Sequence, residues 1–419
     1  MGLKILGAKC ALVCNPNFDI LSNGGVLFKE GEILEVGDYA KLCDKHPKAK
    51  ARFYKNALLM PALVNPHIHF EFAGQKQSFA YGSFESWLDS VMSERSQVLK
   101  RAQAHGQRAI QEQLLQGVAS VGAISSYGLD RNILQESPLR VVFFDELIGA
   151  SADIAPAFEA FSARHALSQA GKSPKFTPAI AIHAPYSVHK DLAKKVLDTH
   201  KSPVVSVHFL ESQAELDFLK GRGGYFANFY AKHGLTAPHY ASPLEFLDLF
   251  KGQNLLLVHA MFATKAHLEH AKNIANPTII TCPRSNRLLS GALLNLKHPS
   301  AVGLKTALAT DGKSSNNNTL FLEELRTALF AFNTPLLEVL PKILLGATLH
   351  ASQALGLKGG SLQAGFLADF AVFNFNAKAD LQGVLHWLLH AHRVLDLYIQ
   401  GDLVALGSKR AFKAMSAKL

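Results

Sequence analysis

Seven side chains that can bind a metal or move a proton follow short apolar segments of the chain. They are His67, His69, His183, His208, Glu211, His259 and Asp311. Neutral imidazole is the commonest metal ligand in proteins. Because alternate residues of a strand point to the same side, His67 and His69 are expected to face one site. With His208 and Asp311 they can complete a site that leaves a position open for water, which is typical of a catalytic divalent metal.

The segments before these side chains predict how they come together. Apolar, strand-like segments alternate with longer amphipathic stretches, such as residues 84–116, which indicates βαβ units and a parallel sheet. The eight segments are 57–64, 118–124, 140–144, 179–183, 204–208, 255–259, 278–282 and 306–310. Eight segments predict an α/β fold, a closed (β/α)8 barrel of the TIM type. The C-terminal strand ends of such a barrel meet on one face, so the seven side chains are expected to converge there.

Strand-like sequence also marks both ends of the chain. Residues 26–37 are β-rich around a glycine turn, and strand patterns return at 365–373. The simplest architecture folds the two ends together. It predicts a small β-sandwich domain of residues 1–58 plus 360–419, beside a catalytic barrel of residues 59–359.

The composition favours a folded enzyme over a nucleic-acid-binding or membrane protein. Of 419 residues, 48% are hydrophobic and 18% are charged, which is ample for a buried core. The net charge of +10 would suit nucleic acid, but the basic residues are scattered, with the densest cluster in residues 409–418. The sequence contains no uninterrupted run of about 18 apolar residues, so no membrane span is predicted. Four dispersed cysteines are expected to be free thiols in a reducing cytoplasm.

Other catalytic motifs are incomplete in this sequence. His69-Phe-Glu71 matches the first part of the cytidine-type zinc deaminase signature, but no Pro-Cys-x-x-Cys follows. The sequence contains no His-Glu-x-x-His, no Walker A motif and no Gly-x-Gly-x-x-Gly after a strand. The histidines and carboxylates at the strand ends are therefore the strongest chemical signal.

The motifs at the strand ends resemble those of the amidohydrolase superfamily, in its adenosine-deaminase-like and chlorohydrolase-like branch. They are Pro66-His67-Ile-His69, His183-Ala-Pro-Tyr186, His208-x-x-Glu211, His259-Ala, Thr310-Asp311-Gly and Gly365-Phe-Leu-Ala-Asp369. The resemblance covers essentially the whole chain and implies one divalent metal ion, Zn or Fe(II). The implied metal ligands are His67, His69, His208 and Asp311. Many relatives with two metals carry a carboxylated lysine on the fourth strand, and residues 178–183 contain no lysine.

The same resemblance implies roles for the other side chains. Asp311 would also take a proton, and His259 would orient the attacking water. Glu211 would move a proton from water to a ring nitrogen of the substrate, which is help worth about 10²–10⁴-fold in rate. His183 would contact a purine ring, and loss of ammonia would complete a hydrolytic deamination.

Residues 282–291 favour one substrate. Their Cys-Pro-Arg-Ser-Asn sequence resembles that of aminofutalosine deaminases, which act in an alternative menaquinone route on an adenine nucleoside bearing a carboxyphenyl ketone. Arg284 or Arg287 would suit that carboxylate, and Ser285 belongs to the same predicted substrate-binding segment. Glu94 lies near the place where related deaminases carry a ribose-binding glutamate. The expected partner is therefore a small purine nucleoside, with no nucleic acid and no membrane.

Several alternatives remain open at this stage. Methylthioadenosine/S-adenosylhomocysteine deaminases carry Asn-Pro-x-Ser-Asn at the same place. A deaminase of that kind, or one that acts on adenosine, is the second interpretation. A triazine-type hydrolase of the same branch is less favoured. An inactive scaffold is also less favoured, because it would have lost its metal ligands. Aromatic residues between positions 70 and 87 either wall an aryl pocket or pack the following helix. Many relatives are dimers, so a homodimer is one option.

Overall fold

The structure, a computed structural model, describes residues 2–74 and 76–404. The basic cluster of residues 409–418 lies outside the described residues. The strands are β1 (Lys4–Leu12), β2 (Ile20–Ser22), β3 (Gly24–Lys29), β4 (Glu32–Asp38), β5 (Lys50–Pro61), β6 (Leu63–Ile68), β7 (Val118–Ser125), β8 (Arg140–Leu147), β9 (Phe176–Ile182), β10 (Val205–Phe209), β11 (Asn254–His259), β12 (Asn276–Thr281), β13 (Thr306–Leu308), β14 (Phe370–Asn374), β15 (Asp396–Ile399) and β16 (Asp402–Val404). They form two eight-stranded sheets.

The described residues form sixteen helices, most of which alternate with the strands of the second sheet. They are α1 (Tyr39–Lys45), α2 (Phe84–Leu99), α3 (Ala102–Leu115), α4 (Arg131–Gln135), α5 (Ala155–Ala170), α6 (Lys190–Thr199), α7 (Gln213–Leu219), α8 (Tyr225–Lys232), α9 (Pro243–Asp248), α10 (Lys265–Ile274), α11 (Pro283–Ser290), α12 (Lys297–Val302), α13 (Phe321–Ala331), α14 (Leu336–Gly346), α15 (Leu349–Ala354) and α16 (Leu381–His390). The amphipathic stretch 84–116 forms two helices, because Arg101 adopts a non-helical conformation (φ −115°, ψ 16°) between them. None of these helices combines the length and apolar character that a membrane span requires.

Strands β6 to β13 form the predicted α/β barrel. All of them run parallel, and each is hydrogen-bonded to its neighbours in chain order. The barrel closes where the backbone N–H of Asp311 donates to the carbonyl of His67 at 3.2 Å. The Asn65 side chain reinforces this seam, donating to Thr310 Oγ1 at 2.8 Å and accepting from the Thr310 backbone at 3.2 Å. The predicted fold class is confirmed.

The first sheet joins the two ends of the chain. Its strand order is β16-β15-β14-β5-β1-β3-β4, with β2 beside β1. Phe28 of β3 and Phe370 of β14 pack with ring centroids 5.2 Å apart although two strands lie between them, so the sheet curls around its own apolar core. The apolar segment 57–64 crosses from β5 of this sheet into β6 of the barrel. The domain limits at residues 58 and 360 stay a prediction.

Gly122 of β7 allows the close approach of β6, the strand that carries His67. A Cβ atom at Gly122 would overlap the carbonyl oxygen of Pro66 in β6. We expect Gly122→Ala to lower the free energy of unfolding by about 1–3 kcal/mol, because the strands must separate. Denaturant unfolding measures this, with Gly37→Ala as the control because its added Cβ would meet nothing within 4 Å. An unfolding free energy equal to that of the control would contradict the packing.

Candidate active site

The C-terminal ends of the barrel strands bring three histidines and one aspartate together. His67 and His69, from the end of β6, have their Nε2 atoms 3.2 Å apart. Asp311 follows β13, and its Oδ1 lies 3.6 Å from His67 Nε2 and 3.4 Å from His69 Nε2. His208, in β10, places its ring centroid 5.0 Å from that of His67. The structure thus assembles the four residues that the sequence predicted as metal ligands.

The donor atoms of this cluster suit a divalent transition metal. One ligand atom from each of His67, His69 and Asp311 lies within 4.8 Å of the others, and His67, His208 and His259 meet the same limit. Imidazole nitrogen and carboxylate oxygen are ligands that zinc and iron take in proteins. Burial lowers the pKa of His69 to about 3, and burial with neighbouring imidazoles lowers that of His208 well below its usual value. The rings are therefore neutral, as metal binding requires.

Donors on three sides hold the carboxylate of Asp311. Its Oδ2 accepts hydrogen bonds from Ser285 Oγ at 2.8 Å and Ser315 Oγ at 2.7 Å, and its Oδ1 accepts from the Gly312 backbone at 2.8 Å. Burial raises the pKa of Asp311, but the close approach of His67 and the electrostatic effect of the other nearby histidines outweigh it and hold the pKa well below its usual value. Asp311 has φ +60°, a costly conformation that is often found at functional sites.

Glu211 and His259 lie next to each other beside the cluster. Glu211 Oε1 lies 3.4 Å from His259 Nε2. His259 Nδ1 lies 2.8 Å from Asn286 Oδ1, so with the amide in this orientation Nδ1 carries the hydrogen and Nε2 presents a lone pair. Burial and the charge of Asp311 raise the pKa of Glu211 well above its usual value. Glu211 is therefore a buried carboxyl group whose environment favours its protonated form.

Glu215 fixes the backbone that carries Glu211. Its buried carboxyl group accepts hydrogen bonds from the backbone N–H groups of Leu210 at 2.7 Å and Glu211 at 3.0 Å. Ser212 caps α7 by accepting from the Glu215 backbone N–H at 3.1 Å. Glu215 was not among the predicted site residues, although Ser212 and Glu215 have the Ser-x-x-Glu spacing that is typical of a capping box at the start of a helix.

One cavity of about 380 Å³ has a size that accommodates a small-molecule ligand. Its floor is formed by His69, His208, Glu211, His259 and Asp311. His183 lines it, as predicted, with Nδ1 2.6 Å from Ser187 Oγ. The carbonyl oxygen of His183 lies 2.9 Å from His208 Nδ1, which links the two strand ends. Burial lowers the pKa of His183 to about 4, so its ring is neutral and its Nε2 is available to a ligand.

The aromatic residues after His69 both wall the cavity and pack the helix. Trp87 lines the cavity and donates from Nε1 to the Ser314 carbonyl at 2.7 Å. Tyr186 and Phe226 also line it, with stacked rings 4.0 Å apart. Phe84, by contrast, is buried behind them, with its ring centroid 6.3 Å from that of Tyr186. Both alternatives from the sequence therefore apply to different residues.

Neither predicted carboxylate-binding arginine lines the cavity. Arg284 forms an ion pair with Glu323 at 3.3 Å and a hydrogen bond to Asn318 at 2.9 Å. Arg287 donates to the carbonyl of Gly291 at the end of its own helix. Both guanidinium groups are thus engaged outside the cavity, and the predicted carboxylate contact of Arg284 or Arg287 stays a prediction.

Ser285 and Glu94 also lie off the cavity wall. The Ser285 hydroxyl donates to Asp311 Oδ2 and supports a predicted metal ligand. Glu94, on α2, approaches Lys76 at 3.9 Å. The substrate contacts of these two residues stay predictions.

Glu146 lines the cavity but was missed by sequence analysis. The predicted strand ended at Phe144, whereas β8 continues to Leu147. Glu146 is buried, with Oε1 3.8 Å from His208 Nδ1 and Oε2 accepting from Ser126 Oγ. Burial raises its pKa to about 7. The only sequence signal is that Asp145 and Glu146 directly follow an apolar strand.

Comparison with known proteins defines the class. The model of the amidohydrolase family matches residues 58–404. The chain therefore belongs to the amidohydrolase family and is a hydrolase.

Relatives within the amidohydrolase family that resemble this chain over nearly its whole length are named as deaminases. A Helicobacter pylori protein named adenosine deaminase is 42% identical over 409 residues, which cover 96% of this chain and 99% of that protein. A Nitratiruptor protein named aminodeoxyfutalosine deaminase is 35% identical over 390 residues, covering 91% and 95%. The crystal structure of Helicobacter pylori aminofutalosine deaminase with methylthio-coformycin superposes with a TM-score of 0.92 at 41% identity, covering 96% of this chain and all of that one.

The hydrogen bonds of Glu215 predict that it positions Glu211. We expect Glu215→Gln to lower kcat for ammonia release from an adenine nucleoside by about 10-fold, because misplacing a catalytic group is costly. Glu245→Gln is a matched control, since Glu245 and Ser242 form the same capping arrangement on α9, off the cavity wall. Equal kcat values for the two variants would contradict the role of Glu215.

Proposed function

We propose that this protein hydrolyses the 6-amino group of 6-amino-6-deoxyfutalosine, giving futalosine and ammonia, in the futalosine route of menaquinone biosynthesis. Relatives named aminodeoxyfutalosine deaminase and aminofutalosine deaminase, at 35% and 41% identity over nearly the whole chain, support this substrate. The observation that carries the chemistry is the buried acid Glu211. It lies 3.4 Å from His259, on the floor of the cavity that also contains the histidine and aspartate cluster.

The proposal includes one divalent ion, Zn or Fe(II). Its ligands would be His67, His69, His208 and Asp311. Bound there, the ion would supply an activated water at neutral pH. Strand β9, the fourth strand of the barrel, contains no lysine that could be carboxylated to bridge a second ion.

The side chains at the cavity floor would move the protons of the reaction. Glu211 gives its proton to the ring nitrogen beside the amino-bearing carbon, while the water oxygen forms a bond to that carbon. Asp311 accepts a proton from the water, and His259 holds the water through its Nε2 lone pair. The carbon–nitrogen bond then breaks, the leaving amino group takes the proton from Asp311, and ammonia departs. The last proton of the water returns to Glu211.

A second candidate is deamination of methylthioadenosine or S-adenosylhomocysteine. It is favoured by the Helicobacter pylori neighbour, whose crystal structure contains methylthio-coformycin. It uses the same floor and the same proton transfers. The two candidates differ only in the group attached to the far end of the ribose.

Three further predictions accompany the proposal. The protein acts in the cytoplasm, in line with four cysteines that are all free thiols. Its partner is a small purine nucleoside rather than nucleic acid or a membrane. A homodimer stays a prediction from the family.

A substrate panel on purified, metal-analysed protein tests the proposal. We expect kcat/KM for 6-amino-6-deoxyfutalosine to exceed that for methylthioadenosine, S-adenosylhomocysteine and adenosine by about 10-fold or more, the step that one well-placed charged contact supplies. Ammonia release and the adenine-to-hypoxanthine absorbance change report turnover.

In the same assay Glu211→Gln is expected to lose about 10²–10⁴-fold in kcat while keeping its metal.

Each outcome of the panel decides one part of the proposal. A preference for methylthioadenosine or S-adenosylhomocysteine would replace the first substrate by the second candidate. A Glu211→Gln variant with the kcat of the unmodified protein would overturn the proton transfer itself.

A further inference from the structure

The cavity mouth is built differently from its floor. Four exposed side chains with apolar bodies line the mouth: Met92, Tyr127, Ile148 and Leu235, with 41%, 40%, 46% and 57% of their surface accessible. The carboxyl groups that line the cavity, by contrast, are all buried at the floor. An exposed apolar rim of this kind is typical of a ligand-binding groove.

Arg95 adds a positive charge to this rim. Among the described residues that line the cavity, it is the only lysine or arginine. It lies on α2 with Trp87 and Val91, spaced four residues apart, so all three share the helix face that meets the cavity. Trp87 is tied to Ser314 next to the floor, and Arg95 is the exposed end of the same face.

The guanidinium of Arg95 has no acidic partner within the described part of the chain. Its Nη1 lies 3.4 Å from the hydroxyl of Tyr127 and 3.9 Å from the Sδ of Met92. The adjacent carboxylate of Glu94 faces Lys76 instead. Arg95 is thus a cation without a counter-ion, beside a hydroxyl donor and apolar surface.

Tyr127 is held in place by Glu71. The buried carboxylate of Glu71 accepts hydrogen bonds from the backbone N–H groups of Ser126 at 2.8 Å, Tyr127 at 3.0 Å and Leu129 at 2.7 Å. Glu71 follows His69 by two residues, so the same segment anchors the predicted metal site and this side of the mouth. The partner hydroxyl of Arg95 is therefore carried by a fixed loop.

We propose that Arg95, with the hydroxyl of Tyr127, binds the anionic end of the substrate, an aryl carboxylate attached beyond the ribose. A guanidinium donates two parallel hydrogen bonds to a carboxylate, and Met92 and Ile148 offer apolar surface to the aryl ring. This inference rests on the proposed function, because it assigns the residue that selects a carboxylate-bearing nucleoside over one with a neutral tail. It is an alternative to the carboxylate contact predicted for Arg284 or Arg287.

The test compares two substrates in four proteins. Steady-state kinetics with 6-amino-6-deoxyfutalosine and with methylthioadenosine would be measured for the unmodified protein, Arg95→Met, Arg95→Lys and Arg101→Met. The ratio of the two kcat/KM values is expected to fall about 10-fold in Arg95→Met through KM, and less in Arg95→Lys, which keeps the charge but not the planar fork. Arg101→Met, an exposed arginine off the cavity wall, should keep the ratio.

The dependence of kcat/KM on salt concentration distinguishes charge recognition by Arg95 from a merely structural role, which would leave that dependence unchanged. With 6-amino-6-deoxyfutalosine, kcat/KM of the unmodified protein should fall as NaCl is raised, because salt screens an exposed charge pair. The same titration of Arg95→Met should be nearly flat. Equal salt dependence in the two proteins would overturn the role of Arg95.

The outcomes also separate this inference from the proposed function. Equal losses for both substrates in Arg95→Met, in a protein that prefers 6-amino-6-deoxyfutalosine, would overturn the role of Arg95 alone. A preference of the unmodified protein for methylthioadenosine would overturn the proposed function and the carboxylate subsite with it.

Discussion

The seam that closes the barrel is the contact on which the rest of the site depends. There the Asp311 backbone N–H donates to the His67 carbonyl, and Asn65 ties β6 to Thr310. The first and last strands of the barrel come from distant parts of the chain, so only the completed parallel sheet brings the carboxylate to the histidine pair. Barrel and site therefore form together. A change that opens this seam separates the predicted metal ligands.

Several functional groups at the floor of the cavity are held by polar partners. Asn286 sets the tautomer of His259, and Glu215 holds the backbone of Glu211. A buried polar group without a partner costs about 1–3 kcal/mol, so these partners stabilise the fold and fix the side chains at once. The mouth has no such requirement, because its apolar side chains and Arg95 are exposed. In the proposed function the reaction chemistry is thus located at the floor, and we infer that the substrate is selected at the mouth.

The strand-end histidines could be predicted from sequence because a parallel barrel places the C-terminal end of every apolar strand on one face. Glu146 could not, since β8 runs on past its apolar part into two carboxylates. The position of Arg95 depends on which face of α2 packs against the barrel, and a local pattern does not specify that. The ion pair of Arg284 could not be predicted for a related reason: its partner Glu323 comes from α13, which is close only in the folded chain.

The central claim is that one metal ion binds where these strand ends meet. The most direct measurement is anomalous diffraction from crystals of the purified protein at the zinc and iron absorption edges. We expect a single peak at the floor of the cavity, with ligand atoms about 2.0–2.2 Å away. Those atoms should belong to His67, His69, His208 and Asp311. Two peaks at the floor, or a peak held by other residues in catalytically active protein, would contradict a single-metal site with these ligands.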